Sequence, residues 1–163
     1  MSTCPNLLRA YAGPRLALIA ESFERLTGTP LVAPALDLAD ALWTAPRVIV
    51  AHGTEADPIF FFGNQMALEL FEMSAEDFIK LPSRLSAEAI NREERQRLLD
   101  EVTRNNFIAN YAGVRISSSG RRFRIEQAVV WNLLDKSGTK HGQAATFDHW
   151  VDVSPASSGP ERA

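Results

Sequence analysis

The hydrophobic pattern of the chain changes its period near the middle. Residues Ile59 to Phe62 are four apolar residues in a row, which is typical of a buried β-strand. Gly63 and Asn64 end this run, and the apolar residues that follow recur at the spacing of an α-helix. Asn64 is expected to cap that helix by accepting a hydrogen bond from a backbone N–H group. The pattern therefore predicts a strand that runs directly into a helix.

Two amphipathic helices are predicted before this unit, in a helical extension that covers residues 1–46. The first begins near Pro14, ends at Gly28 and carries an apolar stripe on one face. The second begins near Pro34 and stops before Pro46. The stripe is a candidate dimer surface, and the same residues would serve equally well to cover the protein's own sheet. The residues of the stripe are Leu16, Ile19, Phe23 and Leu26.

The rest of the chain predicts one α+β domain over residues 47–150. Its sheet is antiparallel and five-stranded, with helices on one face, because two strands are followed by several helices and then by a meander of three strands. A long polar helix is expected from Ser86. Residues 151–163 are rich in serine and proline and predict a disordered tail. The five strands are expected at residues 47–52, 59–62, 107–117, 122–134 and 142–150.

Alternation along residues 122–134 predicts which side chains face the interior of the domain. Gln127 and Trp131 fall on the same face as the apolar residue Phe123. Gln143 is expected on the inner face of the next strand. A buried amide needs hydrogen-bond partners, so these positions predict either an internally satisfied polar core or a ligand site.

The composition predicts one soluble domain with a single core. The chain has 163 residues, of which 45% are apolar, and a formal net charge of -3. This charge argues against a nucleic-acid interface, although four arginines cluster around the turn at residues 115–124. Cys4 is the single cysteine, which predicts no disulfide framework and suits the reducing cytoplasm. No apolar run approaches the ~18 residues of a membrane span, so we expect no membrane association.

Histidine and aspartate offer a candidate for acid–base chemistry. His52 and Asp57 could act together in the cavity of a small cone-shaped α+β enzyme, an isomerase or a hydrolase. The alternative interpretation is that His52 ends its strand and orders the following loop by bonding a backbone carbonyl. His141 is expected to be exposed in a turn, and His149 could face either side of its strand. The sequence has no serine or cysteine nucleophile motif and no His-x-x-x-His spacing, so we expect no catalytic residue and no metal site.

Arg84 follows a helix break at Pro82 and also admits two interpretations. It lies four residues before Glu88, which suits an exposed ion pair on a solvated helix. Alternatively, its guanidinium group points into the domain and binds the carboxylate or phosphate group of a ligand.

Four segments of the chain resemble a known family. They are AHGTEADPIFFFGN, LPSRLSAEAINREERQRLL, RISSSGRRFRIEQAVVW and HGQAATFDHW. They are similar to the MEKHLA domain, a PAS-like domain found in small bacterial proteins and at the C-terminus of plant homeodomain leucine-zipper proteins. The resemblance implies a PAS-like fold in which the inner sheet face and the helices enclose any ligand. The candidate ligand-binding residues are Trp131, Gln143, Gln127, Arg84, His52 and Asn64.

The resemblance implies a sensory or regulatory function without catalysis. A PAS-like domain senses by binding a small molecule or a protein partner, and we expect a homodimer that signals to a separate effector protein. The resemblance names no cofactor. Light–oxygen–voltage domains hold flavin beside an Asn-Cys motif on a helix, whereas Cys4 lies at the start of this chain. A purely structural dimerisation module with a filled core is a further alternative.

Overall fold

The computed structural model describes residues 3–87 and 92–153, without the side chains of residues 92, 94 and 95. The predictions for Glu88 and for the tail beyond residue 153 lie outside the described residues. The helices are α1 (Asn6–Ala12), α2 (Arg15–Thr27), α3 (Leu38–Trp43), α4 (Gln65–Phe71), α5 (Ala75–Phe78) and α6 (Arg92–Asn105), with a 3-10 turn at Ser83–Ser86. The strands are β1 (Val48–His52), β2 (Phe60–Gly63), β3 (Phe107–Ile116), β4 (Arg122–Leu134), β5 (Lys140–Phe147) and β6 (His149–Asp152).

The strands form one antiparallel sheet in the order β2-β1-β5-β4-β3. The predicted hairpin and meander are confirmed, but the last predicted strand is divided at Asp148 into β5 and β6. β5 pairs with the second half of β4, and β6 pairs with its first half from Phe123 to Glu126. Val151 and Asp152 therefore belong to the sheet rather than to the predicted tail.

Helices cover both faces of this sheet. On the inner face, α4 and α5 place Phe71 and Phe78 against the strands. The ring centre of Phe71 lies 5.4 Å from that of Phe123 in β4, and the ring of Phe78 stacks on that of Phe60 in β2. On the outer face, α2 packs against β4. The helices and the sheet thus share one hydrophobic core. No helix in the described part of the chain is long and apolar enough to cross a membrane.

The apolar stripe of α2 covers the protein's own sheet. Leu16, Ile19 and Phe23 are buried, and Leu26 is half-buried against the same core. Of the two uses predicted for this stripe, the structure shows the second, since side chains buried within one chain are not available to a dimer partner. A third helix, α1, precedes α2 in a stretch where the sequence predicted none.

A β-bulge reverses the faces of β4 halfway along its length. Gln127 has a φ of 56°, in the left-handed region, and Ile125 and Ala128 pair with Gly113 and Tyr111 of β3, so two residues of β4 oppose one of β3. The extra residue shifts the alternation by one position. The predicted inner position of Trp131 is therefore wrong, and Gln127 is an exposed bulge residue.

The bulge provides a stability prediction. We expect Gln127→Gly to raise the free energy of unfolding by about 0.5–1 kcal/mol, because glycine adopts a positive φ without the steric cost of a side chain. Gln127→Ala is the matched control and should give no gain, since alanine keeps the Cβ atom. Urea denaturation followed by circular dichroism measures both variants. An equal gain in the two would mean that the left-handed backbone at Gln127 is not strained.

Candidate functional site

A row of polar side chains crosses the inner face of the sheet. His52 of β1 is paired with Gln143 of β5, and Gln143 is paired with Asn132 of β4. Side chains of directly paired residues lie on the same face of an antiparallel sheet, so these three are neighbours. After the bulge, Asn132 lies on the inner face, next but one to Val130. The row thus joins the middle of the sheet to the end of α6.

Asn132 ties this polar row to the last turn of α6. Its Nδ2 donates to Oδ1 of Asn106 at 3.2 Å and lies 3.5 Å from the carbonyl oxygen of Val102. The Nε2 of Gln143 donates to Oδ1 of Asn132 at 3.2 Å. Asn106, which joins α6 to β3, has a φ of 65°. Asn132 is buried while Gln143 and His52 are half-buried, so the β1 and β5 end of the row is the accessible end.

His52 is held in its uncharged form by its surroundings. Its Nδ1 lies 3.0 Å from the carbonyl oxygen of Gly53, which suits an Nδ1–H donor. Burial lowers the pKa of His52 below its ordinary value of 6.5. The bond to Gly53 opposes this shift in part, and the positive charge of Lys140 adds to it. The ring then has an unprotonated Nε2 that can accept a hydrogen bond.

This lowered pKa predicts how stability depends on pH. The unfolded chain binds the His52 proton more readily than the folded chain, so stability is full above about pH 6.5 and is lost as the pH falls through the folded pKa. We expect His52→Leu to flatten this loss between about pH 7 and pH 5, where the carboxylates stay ionised. Urea unfolding at several pH values in this range measures it. The same slope in variant and wild type would show that His52 does not titrate as inferred.

Tyr111 and Arg115 of β3 extend the inner face beyond the polar row. They pair with Ala128 and Phe123, which are inner-face residues of β4. The guanidinium carbon of Arg115 lies 5.6 Å from the centre of the Tyr111 ring, in a cation–π contact. Sequence analysis missed Tyr111, and it also missed Asn106 and Asn132. Asn132 is two residues after Val130, so it lies on the same face of β4. This alternation would have revealed its inner position if the bulge at Gln127 had been known.

Gly113 leaves room for this contact between Tyr111 and Arg115. A Cβ atom at Gly113 would lie 2.8 Å from the Tyr111 hydroxyl oxygen and 3.3 Å from Nη1 of Arg115. Any larger residue would have to displace one of these side chains. Glycine at this position therefore permits both groups to lie side by side on the inner face.

Asn64, a predicted ligand-binding residue, uses its hydrogen-bonding capacity within the protein. Its Oδ1 accepts from the N–H groups of Ala67 and Ile49, both at 3.1 Å. Its Nδ2 donates to the carbonyl oxygens of Leu42 at 3.0 Å and Arg47 at 2.7 Å. The predicted cap of α4 is confirmed, and the remaining bonds join α3, β1 and α4. No donor or acceptor of this amide is left for a ligand.

Arg84 forms an exposed ion pair instead of pointing into the domain. Its Nε lies 3.1 Å from Oδ1 of Asp57, and the two side chains are 61% and 50% exposed. Asp57 is thus paired with Arg84, and the described residues show no hydrogen bond between Asp57 and His52. The enzyme interpretation required those two residues to converge in a pocket, and the structure does not bring them together.

The remaining histidines lie in ion pairs nearer the surface. His141 is 2.8 Å from a carboxylate oxygen of Asp135, and His149 is 3.1 Å from one of Glu126. The hydroxyl of Ser137, and then His141, hold the pKa of Asp135 well below its usual range. No group of histidine, cysteine, aspartate and glutamate side chains within residues 3–87 and 92–153 could hold a metal ion.

The sequence of this chain is similar to those of a known domain family. The family model of the MEKHLA domain matches residues 14–152, a range that runs from the start of α2 to the end of β6. The chain belongs to the MEKHLA domain family. Its matched relatives include homeobox-leucine zipper protein HOX9 of Oryza sativa subsp. indica, 27% identical over 142 residues, and ATHB-14 of Arabidopsis thaliana, 30% identical over 121 residues. These matches cover 83% and 71% of this chain but only 16% and 14% of the relatives.

Solved structures place the MEKHLA domain among PAS-like folds. A PAS domain of a protein from Colwellia psychrerythraea matches with a TM-score of 0.57 at 16% identity, over 71% of this chain and 92% of that one. An RNA-binding Light-Oxygen-Voltage receptor matches with a TM-score of 0.58 at 17% identity, over 77% of this chain and 38% of that one. These similarities show a common fold, and the predicted PAS-like architecture is confirmed.

Proposed function

We propose that this MEKHLA domain is a non-catalytic sensory module that binds a small molecule on the inner sheet face and signals to a separate protein. The observation that carries the proposal is the row formed by His52, Gln143 and Asn132. Its accessible end offers a neutral histidine and an amide amid apolar strands, which is the lining typical of small-molecule sites.

The chemistry of the row favours an uncharged ligand with hydrogen-bond donors and acceptors on one edge. Gln143 has one amide proton beyond its bond to Asn132, and its side chain also lies within hydrogen-bonding reach of His52, so a ligand would bind these two groups together. A flat heterocycle would satisfy both, and Tyr111 could contribute an aromatic contact. One structural neighbour is a Light-Oxygen-Voltage domain studied with a flavin analogue, which matches this chain with a TM-score of 0.55 at 15% identity. Cys4, whose N–H group donates to Asp40 of α3, is not part of this row.

Binding would be transmitted to a partner through α6. Asn132 holds the end of this helix by way of Val102 and Asn106, so a ligand that takes the Gln143 amide would rearrange the bonds that fix α6. Glu93, Gln96 and Arg97 on α6 are exposed. We propose that this polar surface meets the effector protein, whereas in the much longer homeobox-leucine zipper relatives the matched region is one part of the same chain.

Native mass spectrometry of protein purified under mild conditions tests the proposal. We expect an adduct mass that is lost on denaturation, and we expect Gln143→Leu to lower its affinity by about tenfold or more, because a polar ligand group would lose its partner. Thr146→Val on the same strand is the matched control, since Thr146 lies on the outer face and its hydroxyl has no hydrogen-bond partner among the described residues.

The outcomes separate the proposal from its alternatives. Adduct loss in Gln143→Leu but not in Thr146→Val supports a ligand on the inner face. An adduct that both variants retain at wild-type occupancy would place the ligand elsewhere. A chain that carries no adduct, and that takes up no member of a heterocycle library at 1 mM, about the weakest affinity of interest, would favour the structural interaction module.

A further inference from the structure

An open apolar groove lies on the part of the molecule formed by α2, α3 and the loop that joins them. Its volume is about 310 Å³. Nine of its ten lining residues are alanine, leucine, valine or proline, and Glu24 is the charged one. This groove is separate from the polar row, which lies on the inner face of the sheet. The residues at its floor and walls include Ala20, Leu31, Val32, Leu38 and Ala41.

The loop that borders the groove presents an apolar side chain to solvent. Leu36 is fully exposed, and the three residues before it, from Ala33 to Ala35, are exposed as well. Between Arg25 and Asp37 the sequence contains no charged residue. A contiguous uncharged and apolar stretch on the surface is typical of an interaction site.

The loop is anchored at Asp37, the residue that directly follows Leu36. Asp37 caps α3 by accepting a hydrogen bond from the N–H group of Asp40. The carboxylates of Asp37 and Asp40 each form an ion pair with Arg9 of α1 at 2.9 Å. The N–H bond from Asp40, and then Arg9, lower the pKa of Asp37, so it stays ionised at neutral pH. Asp37, which directly follows Leu36, is thereby held in place before any partner binds, which reduces the entropy cost of ordering this end of the loop on association.

We propose that the groove receives Leu36 of a second copy of this chain, in a symmetric homodimer. A two-fold interface requires one patch that is complementary to itself, so that a protrusion and its receptor must lie side by side on the same surface. Leu36 follows the lining residues Pro34 and Ala35 directly and therefore stands on the rim of the groove. Each copy would then insert its leucine into the groove of the other, and the apolar loops would meet around the two-fold axis.

The composition of the patch favours a second copy over a charged partner. Residues 26–36 of both copies carry no charge and the Asp37 carboxylate that follows is paired with Arg9, so two copies can approach without strong like-charge repulsion. A basic or acidic partner would find a single charged residue, Glu24, among those that line the groove. The dimer should therefore persist in 1 M salt, about the concentration at which exposed charges are screened beyond a few ångströms. The proposal is independent of ligand binding on the inner face.

Sedimentation velocity of the full chain over a range of concentrations tests the dimer. We expect Leu36→Glu to raise the dissociation constant about 100-fold or more, because each dimer loses two buried leucines. Leu85→Glu is the matched control, since Leu85 is a leucine that is 52% exposed on the 3-10 turn and should leave association unchanged. Both variants should unfold in urea as the wild type does.

Disulfide capture tests the geometry directly. Cys4 is buried, so cysteines introduced at the surface should report on their own contacts. Chains carrying Leu36→Cys and chains carrying Ala41→Cys, distinguished by tags of different mass, should form a mixed disulfide on mild oxidation, whereas Leu85→Cys with Ala41→Cys should not. A chain that stays monomeric at about 1 mM, or a dimer that Leu36→Glu leaves intact, would overturn the proposal.

Discussion

Replacing Asn64 with alanine is expected to lower the free energy of unfolding by about 3–5 kcal/mol. The substitution removes the cap of α4 and leaves the buried N–H group of Ile49 and the carbonyl oxygen of Arg47 without their partner. The carbonyl oxygen of Leu42 keeps a longer bond from the N–H group of Ala45. Each buried group left unsatisfied costs about 1–3 kcal/mol, so the loss exceeds that of a cap alone. Chemical denaturation, with the slope checked for a two-state transition, gives the value.

Ser74→Ala is the matched control for this prediction. Ser74 caps α5 by accepting from the N–H group of Asp77 at 3.1 Å, but it is exposed and its hydroxyl makes that one capping bond. Removing it should cost about 1 kcal/mol, the usual contribution of an exposed cap. If the two variants lost the same free energy, the bonds from Asn64 to α3 and β1 would contribute nothing to stability.

The sequence predicted the cap at Asn64 because the necessary information is local. An asparagine between an apolar strand and an amphipathic helix has one obvious use, and the structure confirms it. The other three hydrogen bonds of Asn64 go to residues 15 to 22 positions away, and no local pattern reveals them. Its assignment to a ligand site came from the family resemblance, and the structure instead uses all of its polar atoms internally.

The position of the candidate site could be predicted only in part. Gln143 was correctly expected on the inner face, since β5 keeps its alternation opposite both β1 and β4. Trp131 was placed on the wrong face because Gln127 adds one residue to β4, and glutamine gives no sign of a positive φ in the sequence. The same shift concealed Asn132, which the bulge brings to the inner face beside Gln143.

The covering of the outer face shows a different limit of sequence analysis. Periodicity identified the stripe of α2 correctly, but a stripe specifies only that a face is apolar and not what it packs against. The structure supplies the partner, since Ser22 of α2 bonds the backbone of Leu134 and Phe23 contacts Trp131. Contacts between residues more than 100 positions apart in the sequence decide this arrangement. Because these contacts bury the stripe, the dimer surface that we propose lies instead at the loop that contains Leu36.

Replacing Trp131 with alanine is expected to cost about 3–5 kcal/mol of unfolding free energy. The indole is fully buried between the sheet and α2, with its ring 4.8 Å from that of Phe23 in an edge-on contact. Its Nε1–H group donates to the carbonyl oxygen of Ile19 at 3.2 Å. The alanine variant would leave a cavity beneath α2, and the carbonyl oxygen of Ile19 would keep only its partner within the helix, so urea denaturation should show a large fall in stability.

Trp131→Phe keeps most of the buried ring and isolates the role of the face. It should lose only about 1–2 kcal/mol, from the missing hydrogen bond and the smaller ring, and it should remain folded. Because Trp131 lies on the outer face, this variant should retain any adduct that Gln143→Leu loses. Loss of the adduct from a folded Trp131→Phe protein would place the ligand beneath α2. In that case the ligand site would lie on the outer face of the sheet, opposite the polar row of His52, Gln143 and Asn132.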